Sequence, residues 1–129
     1  MVEIEVTNRS GVEVDEASAA HLARRVLAAE GIEGGELGIA FVAPEEIRAL
    51  KLEHLRRDEE ADVLSFPIDG REQLPSGVPR QLGDVVLCPQ VTGTVWLEPL
   101  VHGLLHLLGY EHGLEMEARE TFLAAEVLA

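Results

Sequence analysis

Three histidines near the C-terminus have the residue type and the spacing of a metal site. They are His102, His106 and His112, in the run HGLLHLLGYEH. His102 and His106 are four residues apart, and on a helix with about 3.6 residues per turn this spacing places both imidazoles on one face. Gly109 lies between the second and third histidines, and glycine readily adopts the left-handed backbone that ends a helix. The chain can then fold back and bring His112 towards the other two.

This arrangement favours zinc in a catalytic rather than a structural site. Three neutral imidazoles occupy three positions of a tetrahedral zinc ion and leave the fourth open for water. In zinc peptidases the residue after the first histidine is a glutamate that acts as general base, but here that residue is Gly103. The sequence therefore predicts one zinc ion per chain and disfavours peptide hydrolysis by the usual route. A reaction of a metal-activated water whose proton goes to another group stays open.

Two carboxylates are candidates to support the histidines from outside the coordination sphere. A zinc-bound histidine usually donates its second ring N–H to a carboxylate or a carbonyl group. Asp84 lies in the sequence LGD at the start of a predicted strand, and Glu111 is next to His112. Either could serve, although helix capping or surface charge explains both positions at least as well.

Composition predicts an ordinary globular domain. The chain has 129 residues, of which 47% are hydrophobic, and this length predicts a single domain over 1–129. No apolar run approaches the roughly 18–20 residues that a membrane span requires, and no charged-then-apolar leader opens the chain. The single cysteine, Cys88, lies in an apolar stretch and predicts a small buried side chain. A reducing, cytoplasmic location without membrane attachment is expected. A monomer is favoured, although the sequence does not fix the oligomeric state.

Charge is strongly negative and unevenly distributed. The formal net charge of −14 argues against indiscriminate nucleic-acid binding, because phosphate contacts need cations. Six of the ten basic residues nevertheless fall between residues 48 and 80: Arg48, Lys51, Arg56, Arg57, Arg71 and Arg80. This split is compatible with a basic surface beside an acidic body, and equally with arginines scattered over a solvated face.

The segments before the histidines alternate between strands and helices. Alternating and apolar patterns predict strands at 2–7, 35–43, 62–69 and 82–89. Helical patterns and capping residues predict helices at 15–30, 44–57, 98–109 and about 114–128. Pro67 interrupts the third strand, which indicates an edge or bulged strand, since proline cannot donate to the ladder. The expected fold class is α/β (α+β), with a small mixed four-stranded sheet packed with helices and the zinc site on the C-terminal helical part.

Three blocks, in this order, give the chain a family resemblance. DVLSFP at 62–67, LGDVVL at 82–87 and HGLLHLLGYEH at 102–112 resemble the YbeY family of zinc-dependent endoribonucleases, which mature bacterial ribosomal RNA. The resemblance implies a single α/β domain, one zinc ion held by the three histidines, and hydrolysis of single-stranded RNA. It also implies ribosomal RNA and the small ribosomal subunit as partners. The family usually has aspartate where Glu111 stands, which is a conservative departure.

Two departures from the family pattern affect the expected site. The family carries a functionally important arginine before the DVLSFP block, but a gap-free count places Leu55 at that position. One deleted residue places Arg56 there, with Arg57 next. The segment 88–101, CPQVTGTVWLEPLV, is also shortened, and this leaves little room for the helix that the family generally has before the first histidine.

The resemblance gives several residues candidate roles in RNA cleavage. An arginine offers planar, bidentate donors to a phosphate, which makes Arg56 the first candidate, Arg57 the second and Arg80 a distant third. A solvated surface position is the alternative for each. Ser65 could line the floor of the cleft near the substrate, or it could simply pack there.

Three classes of function are compatible with this pattern. The first is a zinc-dependent, single-strand-specific endoribonuclease in ribosomal RNA processing and ribosome quality control. The second is a metal-dependent hydrolase of another substrate, which Gly103 makes less favourable for peptides. The third is a non-catalytic RNA- or ribosome-binding protein in which zinc only staples the C-terminal helices together.

Overall fold

The structure is a computed structural model that describes residues 1–55, 63–93, 96–111 and 113–126. Its elements follow the chain as β1 (Val2–Asn8), α1 (Glu16–Ala29), β2 (Gly35–Phe41), α2 (Pro44–Leu55), β3 (Val63–Pro67), β4 (Gln81–Leu87), α3 (Pro89–Thr92), α4 (Leu97–Leu107) and α5 (Leu114–Glu126). The predicted mixed four-stranded sheet with packed helices is confirmed.

The strands lie in the order β1-β2-β4-β3. β1 pairs with β2 and β2 with β4 in parallel, whereas β3 pairs antiparallel with β4. Helix α1 makes the crossover between the first two parallel strands, as parallel pairing requires. β3 is therefore an edge strand and ends at Pro67, in agreement with the prediction from the proline.

Helices α1 and α4 cover one face of the sheet and enclose the main core. Leu104 and Leu105 of α4 are fully buried there, with Val26 and Leu27 of α1. α4 has an almost continuously apolar sequence because it lies between the sheet and the neighbouring helices, so few of its side chains reach solvent. Burial of this helix against β3 and β4 fixes the position of the residues on its remaining exposed stripe.

Helix α2 packs against the opposite face of the sheet. Ile47 of α2 is buried with Leu64 of β3 and Val86 of β4 in a second, smaller core cluster. Cys88 belongs to the same cluster and is fully buried, which agrees with its predicted role as a small hydrophobic side chain. The two faces of β3 and β4 thus contact different helices, as the two-residue periodicity of a strand requires.

The short connection between β4 and α4 contains one helical turn. The sequence predicted little room for a helix in this segment, and α3 is only four residues long. Trp96, directly before α4, packs edge to face against Phe41 of β2 with ring centroids 5.3 Å apart. This contact seats the N-terminus of α4 on the sheet. Among the described residues, no helix is long and apolar enough to cross a membrane.

Candidate metal centre

Helix α4 brings two of the predicted metal ligands together. His102 and His106 lie one turn apart on the stripe of α4 that is not buried in the core, and both side chains are partly exposed. Their Nε2 atoms are 3.1 Å apart, with the two rings nearly perpendicular and their centroids separated by 4.6 Å. The predicted pairing of these two histidines on one helix face is therefore what the structure shows.

The turn after α4 supplies a backbone acceptor for His106. Gly109 has a φ of 97°, and the amide of Tyr110 donates to the carbonyl of Leu105 at 3.1 Å. Together with the bond from the Gly109 amide to the carbonyl of His106, these bonds form the reversed turn that commonly ends a helix at glycine. The turn directs the carbonyl oxygen of Tyr110 back to Nδ1 of His106, at 2.9 Å.

These outer contacts assign the protons of the two imidazoles. A carbonyl oxygen only accepts hydrogen bonds, so Nδ1 of His106 must donate, and Nε2 of the neutral ring keeps its lone pair. Nδ1 of His102 lies 3.5 Å from the carboxylate of Glu120 in α5, at the outer limit of a hydrogen bond, and this contact favours the same tautomer. In this tautomer each Nε2 keeps a lone pair that can bind a metal, and the two Nε2 atoms lie 3.1 Å apart.

This donor set fits a divalent cation. Two imidazole lone pairs facing each other at 3.1 Å repel, and a divalent cation bound by both nitrogens would remove this repulsion. Zn–N bonds of about 2.0–2.1 Å in a tetrahedral site place neighbouring nitrogens roughly 3.3 Å apart, close to the observed separation. His112, the third predicted ligand, lies outside the described residues, and no group of three potential metal ligands converges among those that are described. Its place in the site stays a prediction.

Gly103 has a structural reason to be glycine. A Cβ atom at this position would lie 2.7 Å from Cγ1 of Val85, closer than such atoms normally approach, and 3.0 Å from Cγ2 of Val63, which is tighter than most such contacts. The hydroxyl of Ser65 donates to the carbonyl of Gly103 at 2.8 Å and holds α4 against β3. Ser65 thus has the packing role that the sequence left open, and its contact with a substrate stays a prediction. The glutamate of zinc peptidases has no space here.

A buried carboxylate lies behind the turn that carries the acceptor for His106. The side chain of Glu30, at the end of α1, is only 2% exposed. It accepts hydrogen bonds from the hydroxyl of Tyr110 at 2.8 Å, from Nε of Arg119 at 2.8 Å and from Nη2 of Arg71 at 3.0 Å. Burial, and next the hydrogen bond to Glu30, raise the pKa of the Tyr110 hydroxyl, so this group remains a donor at neutral pH. These four residues are called the Glu30 cluster below.

The two leading arginine candidates, Arg56 and Arg57, lie outside the described residues. Arg80 donates from Nη1 to the carbonyl of Gly70 and from Nη2 to that of Glu72, which ties the loop before β4 to itself. Its described contacts are thus structural, and a role in phosphate binding stays a prediction.

The other bases of the 48–80 segment are divided between two sides of the molecule. Arg71 is paired with Glu30 on the α1 side. Arg48 and Lys51 lie on α2, which packs on the sheet face opposite α4. The described part of this segment is therefore split across the sheet, and the predicted basic surface beside the histidines depends on the two arginines that the structure does not describe.

The predicted outer partners of the histidines need one correction. Val85 faces α4, so its neighbour Asp84 points to the other face of the sheet, where its carboxylate lies over Gly38 of β2. Asp84 therefore does not support the histidine pair. Glu111 is exposed and adjoins His112, outside the described residues, so its proposed contact with that ligand stays a prediction.

The residues that occupy these outer positions are not evident from the sequence. Glu120 and Glu30 are remote from the histidines along the chain, and no local pattern distinguishes them from the other acidic residues of a strongly acidic protein. The contact of the Tyr110 carbonyl was predictable in outline. Gly109 indicates a helix end, and the backbone after such a glycine folds back onto the last helical residues.

Comparison with known proteins identifies a family for the chain. The family model described as Endoribonuclease YbeY matches residues 3–128. A protein named Endoribonuclease YbeY from Beutenbergia cavernae is 45% identical over 137 residues, covering 92% of this chain and 89% of that protein. One of the same name from Acidothermus cellulolyticus is 41% identical over 145 residues, covering 97% and 88% of the two chains.

A solved structure shares the fold. The solution structure of TM1509 from Thermotoga maritima superposes with a TM-score of 0.56 at 22% sequence identity, covering 98% of this chain and 89% of that one. At this identity the likeness supports the fold alone. The family model spans nearly the whole chain, and the named relatives cover most of both lengths. By these matches the chain belongs to the YbeY endoribonuclease family.

Proposed function

We propose that this protein is a zinc-dependent endoribonuclease that hydrolyses single-stranded RNA during ribosomal RNA maturation. The observation that carries the proposal is the histidine pair of α4, whose Nε2 atoms face each other at 3.1 Å in a chain of an endoribonuclease family. Membership of this family supports the statement that the protein is a metal-dependent hydrolase that acts on RNA. Zinc as the metal, and ribosomal RNA with the small ribosomal subunit as partners, are the finer parts of the proposal.

Zinc is proposed because the ligand set consists of imidazoles. His102, His106 and His112 would hold one ion per chain, and nitrogen donors suit zinc better than they suit magnesium or calcium. When bound, zinc supplies a Lewis acid that makes water nucleophilic near neutral pH and polarises a phosphoryl oxygen.

The residues around the histidines prepare them for this role. The carbonyl of Tyr110 holds the proton of His106 on Nδ1, and the carboxylate of Glu120 favours the same tautomer in His102. Outer contacts of this kind fix ring orientation and raise the basicity of the ligating nitrogen. The hydrogen bond from Ser65 to Gly103 keeps α4 in place beneath them.

Charge on the scissile phosphate needs a donor besides the metal. Arg56, or Arg57 given the one-residue ambiguity, is proposed to supply it through the planar guanidinium. In the sequence, both arginines lie between the end of α2 and the start of β3. β3 is the strand that packs against α4, the helix with the histidine pair. A cytoplasmic, monomeric protein is the proposed form.

The alternative functions are less well supported. A zinc peptidase needs a glutamate at position 103, where the structure has no room for a side chain. A non-catalytic RNA-binding protein with a structural zinc would bind metal and RNA but would not cleave.

Zinc content and RNA cleavage test the proposal together. His102→Ala is expected to lose both zinc and cleavage of a single-stranded oligoribonucleotide. The matched control is His21→Ala, which changes an exposed histidine on α1 and is expected to retain both. A wild-type protein that binds zinc and RNA without cleaving would support the binding-protein alternative. Undiminished cleavage by His102→Ala would refute the proposed role of His102 and of its bound metal in the reaction.

A further inference from the structure

The Glu30 cluster contains a buried charge that the proposed chemistry does not use. A buried carboxylate is costly unless hydrogen bonds and opposite charges compensate it. Glu30 receives such donors from three separate parts of the chain: Arg71 from the loop before β4, Tyr110 from the turn after α4, and Arg119 from α5. No two of these donors are close in sequence, so the carboxylate fixes their relative positions.

Two of the donors lie directly next to the outer contacts of the histidines. The hydroxyl of Tyr110 donates to Glu30, and its carbonyl oxygen accepts from Nδ1 of His106. Arg119 pairs with Glu30, and the following residue, Glu120, faces Nδ1 of His102. The residue that contacts His106 therefore bonds to Glu30 itself, and the residue that contacts His102 is the chain neighbour of one that does.

We propose that Glu30 is a positioning residue for the metal centre, because it holds Tyr110 and α5 where they orient His106 and His102. This inference rests on the proposed metal-binding role of those histidines. Glu30 does not touch either imidazole. It acts through Tyr110 on one side and through Arg119 and Glu120 on the other.

Replacing Glu30 by glutamine preserves the shape and removes the charge. The amide places an N–H group among donors that need an acceptor, so at least one of the bonds from Tyr110, Arg71 or Arg119 is lost. Loss of an outer contact of a metal-bound histidine typically lowers metal affinity by about 10–100-fold. Glu30→Gln is expected to weaken zinc binding within this range.

Tyr110→Phe interrupts a single connection. It removes the hydroxyl that reaches Glu30, while the Tyr110 backbone carbonyl and the two arginine pairs of Glu30 remain. Zinc affinity is expected to fall about tenfold, at the lower end of the range for outer contacts. This variant keeps the proposal testable if Glu30→Gln does not fold.

The matched control loosens α1 away from the metal centre. Arg24 donates from Nη1 to the carbonyl of Val2 at 2.6 Å and ties α1 to β1. Arg24→Met removes this tether and is expected to lower stability without changing zinc affinity. It therefore separates a general weakening of α1 from the specific effect of the Glu30 cluster.

Chelator competition measures the zinc dissociation constants of the wild type, His106→Ala, Glu30→Gln, Tyr110→Phe and Arg24→Met. The free energy of unfolding of each protein is measured without metal. The expected result is weaker binding by Glu30→Gln and Tyr110→Phe, and wild-type affinity for Arg24→Met. Wild-type affinity in both Glu30→Gln and Tyr110→Phe, with His106→Ala unable to bind, overturns this inference and leaves the proposed function intact. Failure of the wild type itself to bind zinc overturns both.

Discussion

At the scale of single residues, Gly103 determines how closely α4 approaches the sheet. Two valine side chains and the hydroxyl of Ser65 occupy the space around its Cα. The same position carries the general base in zinc peptidases. The close packing of helix and sheet therefore also excludes that base, so one residue serves the core and restricts the chemistry.

Gly103→Glu is expected to destabilise the protein rather than create a peptidase. The new side chain would overlap Val85 and Val63, and its carboxylate would be buried without a partner, for a loss of about 3 kcal/mol or more. Urea denaturation measures the change. Gly34→Glu is the matched control, because Gly34 is exposed with nothing within 4 Å of a Cβ, and its effect should stay within about 0.5 kcal/mol. Equal stability of the two variants would contradict the packing observed at Gly103.

Arg56 or Arg57 is the proposed donor to the scissile phosphate. Arg56→Ala, or Arg57→Ala, should slow RNA cleavage by about two to three powers of ten, which corresponds to roughly 3 kcal/mol for the loss of one preorganised donor. Zinc content and folding should not change, since neither residue is a proposed ligand. Single-turnover cleavage rates with zinc analysis provide the measurement. Wild-type rates in both variants would show that the donor lies elsewhere in the chain.

At the scale of elements, α1 depends on its N-terminal cap and carries Glu30 at its other end. The carboxylate of Asp15 accepts hydrogen bonds from the amide of Ser18 at 3.0 Å and from its hydroxyl at 2.7 Å. The hydroxyl bond, and next the amide bond, lower the pKa of Asp15. The position of Glu30 behind the Tyr110 turn therefore relies on a helix whose N-terminal cap is sensitive to acid.

This sensitivity predicts a pH effect on stability. A lowered pKa in the folded state means that Asp15 contributes stability above its unfolded pKa of about 3.9, and loses it as the pH falls through the folded value. Asp15→Asn keeps a capping acceptor that does not titrate. Its stability deficit relative to wild type should be largest near neutral pH and shrink below about pH 4. Urea unfolding at several pH values measures this difference, and a constant deficit would refute it.

The elements themselves were largely predictable from the sequence. Pro67 correctly indicated an edge strand, and the four-residue spacing of His102 and His106 gave their shared helix face. The face of the sheet on which Asp84 lies was not predictable, because it depends on which side α4 packs. The Glu30 cluster was not predictable from the sequence either. It joins residues up to 89 positions apart, and such pairing leaves no local pattern.

At the scale of the whole molecule, RNA binding must overcome a net charge of −14. Affinity for single-stranded RNA should fall steeply as salt rises, because each phosphate contact releases counterions. Fluorescence anisotropy of a labelled oligoribonucleotide over a salt series provides the measurement. Arg56→Ala should reduce the slope by roughly one contact, about 0.7 in log–log units for a single strand. Affinity that does not depend on ionic strength would rule out phosphate contacts as the basis of binding.

The strand order β1-β2-β4-β3 also governs when the proposed metal centre could form during synthesis. β3 is made before β4, the strand with which it pairs among the described residues, so β3 lacks this partner until β4 has been added. The histidines of α4 come later still, and Glu120 in α5 after them. A nascent chain that ends before α4 therefore exposes the apolar sheet face that this helix covers, and it contains none of the three proposed ligands. Completion of the hydrophobic core and of the proposed metal site thus both require the segment that begins with α4.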